Sequence, residues 1–402
     1  MAEPLLPVAD ALARVLDGVK TLGAEEVPVG EAHGRVLATP LVALRSQPPA
    51  DVSSMDGYAV RTVDLSSEAT LKVVGQSAAG HPFAGTVKAG EAVRIFTGAV
   101  MPEGADTVVV QEDAKVAADQ VTLPATRAAR YVRKRGLDFT EGQTLLPAGR
   151  RLTARDVGLA AAADHTRVAV ARRPRVAIIA TGDELVTPGT GGDPNRIVAS
   201  NPIALAALLR QEGAFVSDLG IVPDKLDAIA AAIRLARPNV DVLITLGGAS
   251  VGDHDLIAPA LKTEGIELAF HRVALRPGRP LLLGVAGALR ILGLPGNPVS
   301  SYVCAALFIV PLLRKLQGRQ DVSMPIEPAI LGCDMPENDR RQDYLRARIE
   351  RGPDGRLVAT AHDRQDSSML ALLVGSDGLL IRAPHAPAAK VGEPCEVLLF
   401  RD

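Results

Sequence analysis

The spacing of apolar positions changes several times along the chain, and each change marks a new piece of architecture. Val8, Leu12, Val15, Leu16 and Val19 recur at helical spacing and predict an opening helix over 8–19. Residues 27–51 turn extended, punctuated by Gly34, Pro40, Pro48 and Pro49, and the Gln47-Pro48-Pro49 step reads as a domain crossing. From Asp51 to Gly149, short apolar runs lie between Gly, Pro and Asp clusters, which predicts a β-rich region. A helical, Ala-rich stretch led by Asp156 follows, then an extended run at 168–171. That stretch is unlike both neighbours. It is expected to rejoin the first helix, giving a discontinuous N-terminal domain (1–48 plus 147–172) around a β-rich insert (49–146).

After Arg175 strand and helix patterns alternate with short links, as in a doubly wound parallel sheet over 173–320. Val242–Leu246 is a nearly unbroken apolar run, the mark of a strand covered on both faces. Its neighbours are an extended run at 175–181, a helix over 197–213 with Pro202 at its start and Gly213 at its end, and a long apolar helix over 299–318. Beyond 320 the pattern returns to strands, including a hairpin with Asp354-Gly355 at its turn, so a small β-barrel is expected over 321–402. The fold class is therefore multidomain, α/β and β.

Candidate chemistry gathers at the ends of the α/β strands, where ligands bind in open sheets of this kind. One loop carries Thr181, Gly182, Asp183 and Glu184; a second carries Gly247, Gly248, Ser250, Asp253 and Asp255. A third, Pro295-Gly296-Asn297-Pro298-Val299-Ser300, frees backbone donors at the start of a helix. Asp224 adds a carboxylate at the same edge. Gly-rich turns, a helix start and several acids suit a phosphate ligand bridged by Mg²⁺. Arg272, Arg276 and Arg279 surround a Pro-Gly turn that could aim guanidiniums at one oxyanion, although a hairpin with solvated arginines would read the same. Taken singly, Asp56-Gly57 reads as a hairpin turn, and Thr97 and Asp138 as ordinary loop residues.

Composition narrows the partners. A net charge of −2, 3% aromatic residues and no Trp leave no electrostatic or stacking case for nucleic acid. Cys304, Cys333 and Cys395 match neither a zinc spacing nor a disulfide framework, and a reducing cytoplasm suits them. The N-terminus lacks the basic-then-apolar pattern of a signal peptide, and no apolar run reaches about 18 residues, so no membrane span is expected. There is no G-x-x-x-x-G-K-[ST], no G-x-G-x-x-G at Gly247 and no G-x-S-x-G elbow.

Six segments in order, SSMDGYAV (53–60), TGAVMPEGADTVV (97–109), TGDEL (181–185), GGASVGDHD (247–255), RPGRP (276–280) and LPGNPVS (294–300), resemble the molybdopterin molybdenumtransferase family, that is MoeA with the E domain of gephyrin and its plant counterpart. The resemblance covers essentially the whole chain. It implies an α/β domain of the MoaB/Mog kind and insertion of molybdate into adenylylated molybdopterin, with Mg²⁺-dependent loss of AMP. It also implies a cytoplasmic homodimer whose active site is shared between subunits, and a molybdopterin adenylyltransferase as a possible partner. By motif, Asp56, Thr97, Asp138, Glu184, Asp224 and Asp255 fall on functional positions, with Glu184, Asp224 and Asp255 toward the metal. Arg272, Arg276 and Arg279 stand where many members carry Lys, and Arg341 with Ser367 or Ser368 falls near molybdate-contacting positions. DRQDSSML departs there from the family's Gly-Ser-Gly. The rival readings are a molybdopterin adenylyltransferase, which lacks the β-rich parts, and a non-catalytic scaffold or cofactor carrier like gephyrin's E domain.

Overall fold

The computed structural model describes residues 5–126, 130–248 and 256–400. The chain forms two compact units, residues 26–170 on the one hand and residues 1–25 with 171–402 on the other.

The larger unit is built on a six-stranded sheet in the order Phe215–Val222, Arg175–Thr181, Val242–Leu246, Leu289–Leu294, Leu282–Ala286, Glu267–Phe270. The first four run parallel, as the apolar runs predict, and all five residues of Val242–Leu246 are buried. Leu282–Ala286 runs antiparallel to both of its neighbours, so the sheet is mixed. The cause is local: only Gly287 and Ala288 separate Leu282–Ala286 from Leu289–Leu294, and a parallel crossover needs a dozen residues or more. Gly287 supplies the positive φ of that tight turn.

The first helix, Val8–Leu16, buries Val8, Ala11 and Val15 in this α/β core, not against residues 147–172. Segments 27–41 and 145–170 instead share a small core of their own, with Leu37, Leu41, Leu152 and Val170 inside it. The helical run Pro298–Leu316 bears on the expectation about apolar length. Its 19 residues are long and apolar enough to cross a membrane by length and composition, and 89% of the qualifying window is buried within the protein. Ser300 and Ser301 interrupt the run in the sequence, yet both are buried in the core.

Strands Gln342–Arg351, Leu357–Ala361, Ile326–Leu331, Pro394–Leu399 and Gly378–Arg382 pair in that order, and the last closes back on the first. This is the expected barrel, filled by Leu331, Ala347, Leu380 and Val397. Leu275-Arg276 adds to its rim beside Gln342-Asp343.

The unit of residues 26–170 holds a second six-stranded sheet, ordered Thr107–Val110, Gly57–Val60, Glu91–Ile95, Ala69–Ser77, Gln120–Leu123, Lys115–Ala117. Asp56-Gly57 is not a hairpin turn. Gly57 begins a buried strand so close to its neighbour that a Cβ there would lie 1.9 Å from the Val109 carbonyl oxygen.

Candidate functional site

At the carboxyl ends of the parallel strands three turns meet. The Val242–Leu246 strand ends in Gly247 and Gly248, both with positive φ. A Cβ on Gly247 would sit 2.4 Å from the Thr181 carbonyl oxygen, so only glycine lets this turn touch the end of the adjacent strand. Gly296 crosses within 3.8 Å of the Gly247 Cα, measured from its own Cβ position. The amide of Asn201 donates to the Gly296 carbonyl at 2.6 Å and fixes the third turn. Thr181, Gly182, Asp183, Gly247, Gly248, Pro295, Gly296, Asn297, Pro298 and Ser300 are therefore gathered as expected. Thr181 and Ser300 are buried, so they support the turns from below. Ser250, Asp253 and Asp255 lie outside the described residues.

The acids stand on neighbouring loops. Glu184 is exposed and Asp224 half-buried. The Asp224 N–H donates to Asp183 Oδ1 at 3.2 Å, which ties the two loops together. The Arg196 guanidinium donates to the Asp183 carbonyl, and the Ile197 N–H to the Glu184 carbonyl at 2.8 Å, so the 193–198 segment braces the same loop. Among the described residues no three His, Cys, Asp or Glu side chains gather as a closed metal site. Mg²⁺ does not require one: it uses one or two carboxylates beside substrate phosphates and retained water. Glu184 and Asp224 offer hard oxygen ligands of that type.

The arginines divide. Arg276 lies on a rim strand of the barrel and binds Asp343 through two guanidinium nitrogens, with Nε to Oδ1 at 2.7 Å. It also reaches Asn338 Oδ1 at 3.1 Å and Asp339 at 3.5 Å. Its hydrogen bond to Asp343 raises the guanidinium pKa further. Asp343 is 3% exposed in its side chain, and burial pushes that carboxyl upward against the two-point contact with Arg276, which favours its charged form. This pair lines a cavity of about 430 Å³ with Cys333, Met335, His362 and Arg382. Arg279, by contrast, is exposed and its guanidinium has no partner among the described residues; Arg272 is half-buried with its backbone carbonyl bound by Leu6 N–H. Gly278 lies against the helix that starts at Asn297, with its Cβ position 2.5 Å from Cys304 Sγ. The arginine turn and the Asn297 turn thus share one support. Cys304 is a core residue, and complete burial pushes its thiol far up.

Beyond the barrel strand Leu357–Ala361, the Ser367 hydroxyl accepts from the Asn297 amide at 2.8 Å and its carbonyl accepts from Val299 N–H at 3.1 Å. Ser367 is therefore the serine brought to the site, whereas Ser368 donates to Asp366 at 2.6 Å. Arg341 does not reach this loop. It pairs with Asp339 at 2.7 Å, and the hydrogen bond from Arg341 holds Asp339 down at about 2. Arg346 is the arginine under the loop: 1% exposed, it donates to the Asp366 carbonyl at 2.8 Å and to Gln365 Oε1 at 3.3 Å. The sequence signal for it was a cation two positions after Tyr344, in register with the buried face of a strand.

In the other unit, Thr97 donates to Asp56 Oδ1 from both its N–H and its hydroxyl, each at 2.7 Å. The backbone hydrogen bond from Thr97 is the main cause of an Asp56 pKa below the usual carboxylate range. Asp138 is an exposed loop residue fixed by its N–H to the Gln47 carbonyl at 2.9 Å.

Three family models match the chain in order: MoeA N-terminal region (domain I and II) over 6–163, a probable molybdopterin binding domain over 177–315, and MoeA C-terminal region (domain IV) over 328–400. The molybdopterin molybdenumtransferase of Nostoc is 38% identical, over 85% of this chain and 82% of its own. The protein of the same name from Bacillus subtilis is 32% identical over 99% of this chain and 94% of its own. Two structures of the molybdopterin biosynthesis MoeA protein from Pyrococcus horikoshii superpose with TM-scores of 0.87 and 0.84, at 30% and 28% identity, over 99% of this chain and all of theirs.

Proposed function

The chain belongs to the MoeA family, and on that premise we propose that it is a molybdopterin molybdenumtransferase that inserts molybdate into adenylylated molybdopterin and releases AMP. The observation that carries this reading is the meeting of the Thr181, Gly247 and Gly296 turns at one sheet edge. Glycine there lets a phosphate approach the backbone without meeting a Cβ, and the Asn297 turn opens a helix whose dipole favours an anion. Mg²⁺, held by Glu184 and Asp224 when bound, supplies charge neutralisation for a nucleotide phosphate leaving the pterin phosphate. Arg279, with its unengaged guanidinium, binds the molybdate dianion; Asn297 at the helix start, and Ser367 hydrogen-bonded to it from the 362–369 loop, offer polar groups to it. Asp56 and Thr97 bind the substrate in a homodimer, contributed by the second copy, and the enzyme works in the cytoplasm.

The test is to mix the full chain with adenylylated molybdopterin, Mg²⁺ and molybdate and to follow AMP. Molybdate-dependent AMP with a product that reconstitutes a molybdoenzyme is the expected result. Tight binding without turnover would overturn it in favour of a cofactor carrier.

A further inference from the structure

Asp56 is half-buried at a loop end, its position is tightly determined, and the determinant is a residue that no motif singles out. Arg94 lies on the neighbouring strand, directly opposite Tyr58 in the ladder. Its guanidinium is 5.2 Å from the Tyr58 ring centre and 4.8 Å from that of Phe96, so two aromatic rings hold one cation. Nη1 donates to the Gly57 carbonyl at 2.9 Å and Nη2 to Gln111 Oε1 at 2.5 Å. Gln111 in turn donates its backbone N–H to the Asp56 carbonyl at 3.0 Å. Both peptide carbonyls at Asp56-Gly57 are therefore tied to the Arg94 assembly, one directly and one through Gln111.

We propose that Arg94 is the positioning residue of the Asp56–Thr97 pair: it fixes the Asp56 backbone so that one carboxylate oxygen stays on Thr97 and the other is presented to the substrate. The proposal rests on the functional reading above for its substrate, though not for its geometry. The rings make the guanidinium rigid, and a rigid donor fork holds two acceptors at lower entropic cost than a flexible one. The Arg94 charge also adds to the Thr97 hydrogen bonds in keeping Asp56 ionised.

The experiment compares the full-length wild type with Arg94→Met, which keeps the apolar stem between the rings, and Arg94→Lys, which keeps the charge but cannot bridge both acceptors. Amide hydrogen exchange is read at Thr97 and at Val121, which pairs with Leu71 in the same sheet. Exchange at Thr97 should rise at least tenfold in Arg94→Met and by a smaller factor in Arg94→Lys, with Val121 unchanged. The value of kcat/KM for AMP release should fall about tenfold in Arg94→Met. A wild-type Thr97 rate in either variant, an equal rise at Val121, or full kcat/KM beside a loosened Thr97 would overturn the proposal. If the wild type itself releases no AMP, the functional reading falls, and the exchange rates still decide whether Arg94 positions the pair.

Discussion

Three arginines of one short segment have different surroundings, and substitution should separate them. Arg279→Ala removes an unengaged guanidinium, so the molybdate concentration for half-maximal AMP release should rise about tenfold or more while thermal stability stays unchanged. Arg276→Ala removes the guanidinium bound at two points to the buried Asp343 carboxylate, so its main effect should be a lowered melting temperature. Equal effects of the two on the molybdate requirement would remove this distinction. Asp156 gives a pH signature. Burial pushes its carboxyl up, but hydrogen bonds from Arg150, the Thr153 N–H and the Thr153 hydroxyl outweigh that and hold it below the usual range. A folded pKa below the unfolded value means stabilisation that is complete above the unfolded pKa and lost as pH falls toward the folded one. Asp156→Asn should therefore destabilise residues 26–170 by about 1–2 kcal/mol at pH 7. The difference from wild type should close as the pH falls below about 4, as followed by thermal melts across pH.

At the scale of elements, the strand-to-turn junction at Gly247 is the most constrained. Its φ is +91°, and any Cβ meets the Thr181 backbone. Gly247→Ala should force the Gly247 and Thr181 turns apart and cut AMP release at least tenfold, with far-UV circular dichroism unchanged; an active Ala variant would show that the turns need not touch. Much at this scale was legible in the sequence. Val242–Leu246 and Arg175–Thr181 carry nearly unbroken apolar runs, and Thr-Gly, Gly-Gly and Pro-Gly stops placed the three turns at the strand ends. What escaped depends on partners distant in sequence. Gly57 is a glycine because of Val109, and the buried Arg346 is satisfied by Gln365 and Asp366 across a strand turn. The association of the first helix with the α/β core was missed for the same reason: its apolar face would fit any core, and only its packing against Val310–Leu316 identifies which.

At the scale of the larger unit, a buried charge cluster fastens the last α/β helix to the rest of its core. Glu212 accepts from Arg314 at 2.7 Å and from Arg319 at 2.8 Å, with all three side chains 11% exposed or less. Removing its charge takes one carboxylate from two buried guanidiniums, while Arg319 keeps Asp321 and Arg314 keeps the Asp321 and Ser323 carbonyls, so Glu212→Gln should lower the urea-unfolding stability of this unit by about 1–3 kcal/mol. A change within about 0.5 kcal/mol would show that water already compensates the arginines.

The helical run Pro298–Leu316 ends where that cluster begins, and its far end has a second set of anchors. Lys315 donates to the Leu16 carbonyl at 2.8 Å, and Leu22 N–H donates to the Leu316 carbonyl at 2.8 Å. At about 1.5 Å per residue, the run carries a stiff connection close to 28 Å long from the Asn297 turn to residues 16–22. Residues 5–22 thus buttress the turn-bearing edge of the α/β sheet. Trimming them would uncover the apolar flank of the longest core helix, and a chain shortened in that way would be expected to clump before it lost its chemistry.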